Sequence, residues 1–295
     1  EPSECAKPSD MATCALVPAV AEIGSRPVAV GQLGHISYSD DRREPWVQAR
    51  CVPTRNTITD ITFTDDKVGF AVGHDATILK TEDGGESWML KYIERRGENP
   101  LFGLDFSGPD YGIAVGAFST VMETKDGGET WTQRPLVEGG YDDFHLNGLF
   151  SDAAGNMYIP AEFGVVYKST DGGRTFEGIQ TPYEGSFWGG LPLANGDLLI
   201  WGMRGNAYVS KDGARSWLRS ETNTDRSISG GTQLADGRVV LTGLSGLVLI
   251  STDNGGNFEA YVRPDRLSFA TVSSKSDSEV LLYGDPGVLP HAIAN

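Results

Sequence analysis

Among the residues of this chain, carboxylates are the best suited to catalyse a reaction without a cofactor. Hydrolysis of a glycosidic bond uses two of them, roughly 5–10 Å apart depending on the stereochemical outcome. Six carboxylates occupy or border predicted loops, namely Asp60, Asp142, Asp143, Glu184, Asp225 and Asp285. No spacing among them singles out a catalytic pair. They keep a glycoside hydrolase as an alternative function, and we assign no catalytic residue.

Arginine and aromatic residues in the long predicted loops indicate recognition of a partner instead. Interfaces favour Trp, Tyr and Arg at their energetic centres, because these side chains combine contact area with directed hydrogen bonds. The predicted binding residues are Arg95, Arg96, His145, Trp188, Arg204, Arg226 and Arg263.

Two of these binding residues could instead serve a different role. Trp188 lies in a predicted loop, where it either anchors a partner or packs between sheets. With Tyr183 it would also offer a stacking surface to a carbohydrate or other small molecule. His145 follows Asp142 and Asp143, which fits an acid–base or metal cluster or, more simply, a solvated loop. We therefore predict no metal site and no cofactor.

The three cysteines all lie near the start of the chain, at Cys5, Cys14 and Cys51. Their spacing fits no common zinc pattern, and their clustering predicts one disulfide in an oxidising compartment. Cys5–Cys14 is the favoured pair because these residues are close in sequence, and Cys51 is the alternative partner. Three free or buried thiols are the alternative to a disulfide.

Composition narrows the classes of partner. The formal net charge of −16 over 295 residues disfavours nucleic acid and anionic lipid surfaces. No run of about 18 apolar residues is present, so we predict no membrane span. The first residue is Glu1 rather than Met, and no signal peptide is seen. We expect an exported protein whose leader was removed or lies outside this sequence.

An octapeptide with the pattern of TEDGGESW (residues 81–88) recurs along the chain at intervals of 41 to 45 residues. A second element, AVGHDATILK at 71–80 in one copy, precedes each octapeptide and occurs seven times. Each unit contains four short runs of β-branched and aromatic residues separated by Gly, Asp and Asn. Four-stranded units of this length are typical of propeller blades.

The octapeptide is predicted to be a tight hairpin between the third and fourth strands, known as an Asp-box. Its Asp can accept backbone N–H groups of its own loop, and its closing aromatic residue can pack between sheets. We predict structural roles for the Asp and aromatic residues of five copies: Asp83 and Trp88, Asp126 and Trp131, Asp171 and Phe176, Asp212 and Trp217, and Asp253 and Phe258.

The predicted fold is therefore all-β, a seven-bladed β-propeller of four-stranded antiparallel blades with Asp-box hairpins. Residues 1–295 are predicted to form one domain. The seventh copy lacks an Asp-box and a fourth strand, and residues 1–13 are candidates to close the ring there. Pro2 and Pro8 weigh against a strand in that segment. We expect a monomer.

The compound motif AVG…(T/S)xDGGx(T/S)W, clearest at 71–88 and 114–131, resembles the Ycf48/HCF136 family of photosystem II assembly and stability factors. Sialidases and xyloglucanases also carry Asp-boxes, but the FRIP-like motif of sialidases is missing here. The resemblance implies a non-enzymatic, exported propeller, periplasmic or lumenal, that binds a membrane or exported protein. The alternatives are an Asp-box glycoside hydrolase, sialidase- or xyloglucanase-like, and a carbohydrate-binding module.

Overall fold

The computed structural model describes residues 5–9, 12–43, 45–94, 97, 99–137 and 143–293. Its contacts divide the chain into two compact units, residues 1–143 and residues 144–295. Within the described residues both units consist of antiparallel sheets joined by turns, and four short 3-10 turns are the only helical pieces. None of the helical pieces in this described part is long enough to cross a membrane.

The first unit contains three four-stranded sheets in chain order. The first sheet consists of β1 (Ala19–Ile23), β2 (Arg26–Val30), β3 (Ile36–Tyr38) and β4 (Val47–Gln48). The second sheet consists of β5 (Ile58–Phe63), β6 (Gly69–Gly73), β7 (Ile78–Thr81) and β8 (Met89–Tyr92). The third sheet consists of β9 (Leu101–Phe106), β10 (Gly112–Gly116), β11 (Val121–Thr124) and β12 (Thr132–Arg134).

The second unit contains four sheets. The fourth sheet consists of β13 (Phe150–Ser151), β14 (Met157–Pro160), β15 (Val165–Ser169) and β16 (Glu177–Gln180). The fifth consists of β17 (Phe187–Pro192), β18 (Leu198–Gly202), β19 (Ala207–Ser210) and β20 (Leu218–Arg219). The sixth consists of β21 (Ile228–Gln233), β22 (Val239–Gly243), β23 (Leu247–Ser251) and β24 (Glu259–Val262), and the seventh of β25 (Phe269–Ser276), β26 (Glu279–Gly284) and β27 (Gly287–Ala292).

Seven consecutive meander sheets confirm the predicted seven-bladed β-propeller. Six sheets have four strands, and the seventh has three within the described residues. Five second strands are buried along their whole length, as the β6 sequence GFAVG illustrates, and β2 and β26 are buried except at their first residue. Apolar clusters fill the space between neighbouring sheets of each unit; one of them packs Trp88 against Val28 and Ile61. That the two units make a single domain remains a prediction.

The Asp-boxes form hydrogen-bonded hairpins between the third and fourth strands. Asp83 accepts hydrogen bonds from the Ser87 backbone N–H at 2.9 Å, the Ser87 hydroxyl at 2.6 Å and the Thr81 hydroxyl at 2.9 Å. Gly85 has a φ of +90°, which most residues avoid, and its carbonyl accepts the Trp88 indole N–H at 3.1 Å. All of these contacts lie within the loop and its own blade.

The same pattern recurs at Asp126, Asp171, Asp212 and Asp253. Hydrogen bonds with Thr130 hold the pKa of the Asp126 carboxyl at about 2. A degenerate copy of the octapeptide, SDDRREPW at 39–46, differs: among the described residues, Asp41 accepts the Arg43 N–H, at 3.2 Å, and no other hydrogen bond.

The N-terminal segment contacts the first sheet. The Ala6 N–H donates to the Val52 carbonyl at 2.8 Å, and the Ser9 N–H donates to the Gln48 side chain at 2.9 Å. Ala6 is buried in the apolar cluster beside the first sheet. The proposed completion of the seventh sheet by residues 1–13 remains a prediction.

The disulfide joins Cys5 to Cys51, with a Cα–Cα distance of 5.2 Å, so the favoured Cys5–Cys14 pairing is wrong. Cys14 is a free, exposed thiol. The reason is spatial. The segment at 5–9 runs beside β4, which brings Cys5 next to a residue 46 positions away in sequence. Proximity along the chain did not predict proximity in space.

Candidate functional site

Turns of two kinds share one end of each sheet. Because successive strands are antiparallel, the turns between second and third strands lie at the same end as the connections from one blade to the next. The Asp-boxes lie at the opposite end. We call the first end the loop-rich face. Binding residues concentrate on such variable loops.

A cleft of about 850 Å³ opens on the loop-rich face of the second unit. Three segments form most of it: the turn of the fourth sheet, the turn of the fifth sheet and the connection between those sheets. The lining residues are Glu162, Phe163, Pro182, Tyr183, Glu184, Gly185, Ser186, Met203, Arg204, Asn206, Tyr208 and Arg219. This volume lies within the range of ligand-binding pockets in proteins.

Close backbone packing positions the cleft wall. The Gly164 N–H donates to the Gly185 carbonyl at 2.7 Å, and the Thr181 N–H donates to the Gly164 carbonyl at 3.0 Å. Gly164 has a φ of +73°, and a Cβ there would lie 1.6 Å from the Tyr183 carbonyl oxygen. Only glycine permits this approach, which seats the connecting loop on the turn of the fourth sheet.

Aromatic rings make up much of the cleft. Phe163 is 60% exposed and lies 5.0 Å from Phe144, measured between ring centroids. Deeper in the cleft, the rings of Tyr183 and Tyr208 stack with centroids 6.2 Å apart, and both meet the Phe187 ring edge-on. Burial raises the pKa of Tyr208, so its hydroxyl stays protonated at neutral pH.

Charged groups line the same cleft. Arg204 and Arg219 are exposed. Neither forms an ion pair with another described residue. Glu162 accepts the backbone N–H of His145 at 2.8 Å, and Glu184 is exposed. The cleft can therefore offer both signs of charge to a partner.

The predicted binding residues are dispersed. Arg204 lines the cleft, and its backbone N–H donates to the Ser227 hydroxyl at 3.2 Å. That serine directly follows Arg226, which is half-buried. His145 is not among the lining residues, although its backbone N–H binds Glu162, which is. Arg95 and Arg96, like the carboxylate Asp142, lie outside the described residues. Their roles in binding remain predictions.

Arg263 is less available than an interface arginine would be. It forms an ion pair with Asp265 at 2.6 Å, and its Nη1 lies 3.0 Å from Nδ1 of His291. Its guanidinium also lies over the Phe269 ring, 5.4 Å from the centroid. Only 15% of the side chain is exposed. The sequence could not reveal this because Asp265 and Phe269 read as ordinary residues of a neighbouring loop and strand.

Trp188 does not line the cleft. It lies half-buried on β17 at an irregularity between Phe187 and Gly189, so it and Tyr183 do not form one stacking platform there. At the corresponding position in other sheets, on the first strand or just before it, polar side chains bridge to the next sheet. Asn147 donates to the Phe187 carbonyl at 2.8 Å, and Ser229 donates to the Phe269 carbonyl.

The sequence did not single out several cleft residues. Tyr208 and Arg219 lie on β19 and β20, and Asn206 directly precedes β19. Residues of third and fourth strands read as sheet packing, so only the turn and connection residues were recognised.

The fold and the repeated hairpins define the class: an Asp-box β-propeller, here with a cleft on its loop-rich face. The family model described as photosynthesis system II assembly factor YCF48 matches residues 39–101 and 91–246. The matches span most of the chain, and the protein belongs to this family.

Individual relatives agree with that assignment. The photosystem II assembly protein Ycf48 of Thermosynechococcus vestitus is 46% identical over 44 residues, which is 15% of this chain and 12% of that protein. A structure described as YCF48 bound to D1 peptide superposes with a TM-score of 0.75 at 17% identity, covering 96% of this chain and 93% of that chain. YCF48 from Cyanidioschyzon merolae gives 0.74 at 14% identity, with 97% of each chain covered.

Structural similarity alone identifies the fold and not the function. The WD40 propeller domain of Doa1 superposes almost as well, with a TM-score of 0.73 at 12% identity over 97% of this chain and 95% of that one. The family membership therefore depends on the sequence match.

Proposed function

We propose that this protein is a non-enzymatic assembly factor whose loop-rich face binds a segment of a membrane or exported protein. The observation that carries the proposal is the cleft of about 850 Å³. Its walls are aromatic, and its two arginines form no ion pair with another described residue. Family membership supports it, as does the Ycf48 structure described as bound to a D1 peptide. The disulfide is consistent with an oxidising compartment, the periplasm or an equivalent lumen.

Hydrolysis is the less favoured function. Of the two cleft carboxylates, Glu162 already accepts a backbone N–H. Asp60, whose pKa is raised, lies on a first strand and is not among the residues that line the cleft. A glycosidase would instead pair a raised-pKa acid with a second carboxylate across one substrate site.

Site-specific photo-crosslinking tests the proposed function. A benzoylphenylalanine at Glu184, in the cleft, is compared with one at Lys211, an exposed residue of an Asp-box at the opposite end of the same blade. Both variants are expressed in the source cells, and mass spectrometry identifies the adducts. We expect membrane or exported proteins to be trapped at position 184 and not at 211.

A screen of aryl glycosides and oligosaccharides on the purified protein accompanies the crosslinking. Equal labelling at both positions would contradict a specific binding face. Turnover of any glycan that disappears in Glu184→Gln would establish the hydrolase in its place.

A further inference from the structure

The turns between second and third strands share one strained conformation. In six of them a central residue has a φ between +51° and +57°: Leu33, Asp75, Phe118, Phe163, Arg204 and Ser245. Bulky residues rarely adopt this left-handed conformation, and glycine adopts it without cost. The conformation belongs to the repeated turn, because the bulky Leu33 and Phe118 share it and do not line the cleft. In the cleft it holds Phe163 and Arg204.

Phe163 is also largely exposed. Of its side chain 60% faces solvent, and its ring packs against Phe144 with centroids 5.0 Å apart. A strained, exposed phenylalanine at the mouth of a cleft has the properties of a contact residue for an apolar group.

The base of the cleft offers two polar atoms that no described residue satisfies. Tyr208 is only 5% exposed, and no hydrogen bond to its hydroxyl is seen within the described residues. Asn206 is 8% exposed and uses its amide nitrogen to bind the Met203 and Arg204 carbonyls, at 2.9 and 3.3 Å. This orientation leaves the Asn206 Oδ1 as an acceptor. Packing against Tyr183 and Phe187 holds the Tyr208 ring in place.

Flat apolar walls that end in a hydroxyl and an amide oxygen match a flat ring with a hydrogen-bonding tip. Tyrosine and tryptophan are the side chains with that form. Phenylalanine would fill the same space but leave Tyr208 and Asn206 desolvated and unpaired, which is costly. A site built to pair with a polar tip strongly rejects the analogue that lacks it.

We propose that the cleft binds a tyrosine or tryptophan side chain carried by an extended segment of the partner. The ring lies between Phe163 and Tyr183, and its O–H or N–H donates to Asn206 Oδ1 or to the Tyr208 hydroxyl oxygen. The cleft is larger than one ring, so the remaining volume takes the flanking backbone near Arg204 and Arg219. This inference rests on the proposed function and specifies which residue of the partner is recognised.

A library of linear twelve-residue peptides displayed on phage is selected on the intact protein, and the best peptide is measured by fluorescence polarisation. We expect the selected peptides to share one Tyr or Trp. Its replacement by Phe should raise Kd about tenfold or more, and by Ala further still. Tyr208→Phe, which removes only the unpaired hydroxyl, should raise Kd by a similar factor.

Phe163→Gly removes the exposed ring and relieves the left-handed strain, so binding should weaken about tenfold without a lower melting temperature. Ser245→Gly is the matched control. It has the same turn conformation, with φ +57°, in the same unit, and it does not line the cleft. This variant should bind as tightly as the wild type. Comparing the two variants separates the effect of losing the Phe163 ring from the effect of placing glycine in the turn.

Peptides without a common Tyr or Trp, or peptides that bind as tightly with Phe, would overturn this inference. So would binding unaffected by Tyr208→Phe and Phe163→Gly. If such peptides still compete with crosslinking at position 184, the proposed function stands and only the ring specificity is wrong. If no peptide is enriched and no crosslink forms at 184, both proposals fail. Binding of xyloglucan oligosaccharides that is lost in Tyr208→Phe would assign the cleft to a sugar.

Discussion

Asp60 is a carboxyl whose charge is controlled by the fold. It lies on β5 and accepts the backbone N–H of Leu104, on the neighbouring sheet, at 3.1 Å. Burial raises the pKa of Asp60 to about 7, although backbone hydrogen bonds from Ile61 and Leu104 oppose the rise and repulsion from Asp105 adds to it. We predict that Asp60→Asn changes how the stability of this protein depends on pH.

The sign follows from the raised pKa. The folded protein holds the Asp60 proton more tightly than the unfolded chain, so this contribution to stability is complete below pH 3.8 and is lost as the pH rises through about 7. The difference between the two pKa values corresponds to roughly 4 kcal/mol, at about 1.4 kcal/mol per pH unit. Asp60 retains some access to solvent, so we expect about 2–4 kcal/mol.

Urea unfolding of wild type and Asp60→Asn at pH 4, 6 and 8 measures this effect. Taking the difference between the two proteins cancels the other titrating groups. The difference should move by about 2–4 kcal/mol in favour of the Asn variant between pH 4 and pH 8. Asp105→Asn is the companion variant, and it should reduce the pH dependence without abolishing it. Parallel stability profiles for wild type and Asp60→Asn would refute the assignment of a buried, protonated carboxyl.

Three further predictions concern the disulfide and the Asp-boxes. Cys51→Ala should lower the free energy of unfolding by about 2–4 kcal/mol in urea titrations, because the disulfide closes a long loop, whereas Cys14→Ala should leave it unchanged. Asp83→Ala should lower the free energy of unfolding by about 1–3 kcal/mol because it leaves donors of the loop unpaired, and Trp88→Ala should lower it by about 3–5 kcal/mol because it creates a cavity. The folded fraction of both variants should still bind peptide. Loss of binding at an unchanged melting temperature would contradict a structural role. Hydrogen bonds from Thr130 keep the pKa of Asp126 near 2, so circular dichroism should show Asp-box stability present above pH 4 and lost only as the pH falls toward 2.

Much of the fold was predictable because the repeat encodes it. The element that precedes each octapeptide occurs seven times, and each copy covers the end of a second strand, the following turn and most of a third strand, as at 71–80 in β6 and β7. Within 57–92 the sequence predicts four strands, TITDITFT, VGFAVG, ATILKTE and SWMLKYI, and they are found as β5 to β8 with slightly shorter bounds. Local spacing could not predict the Cys5–Cys51 bond, because that pairing depends on where the N-terminal segment lies across the first sheet.

The candidate site was predictable only in part. Its turn residues were recognised because the loop-rich face varies from blade to blade. Tyr208 was missed because other third strands carry ordinary packing residues at its position, such as Leu79, Met122 and Leu249. The sequence places Phe163 in a turn of the loop-rich face, and only the structure shows that its ring is exposed and its backbone left-handed.

The disulfide also implies an order of events during maturation. Cys5 and Cys14 are 9 residues apart, and Cys51 follows Cys14 by another 37. A chain that enters an oxidising compartment with this end first presents Cys5 and Cys14 to oxidants before Cys51 arrives. We expect a transient Cys5–Cys14 bond, which the Cys51 thiolate then attacks at the Cys5 sulfur, releasing Cys14 as a thiolate. Cys14 would be the leaving group of that exchange, and docking of the N-terminal segment would then require reshuffling of a disulfide as well as its formation.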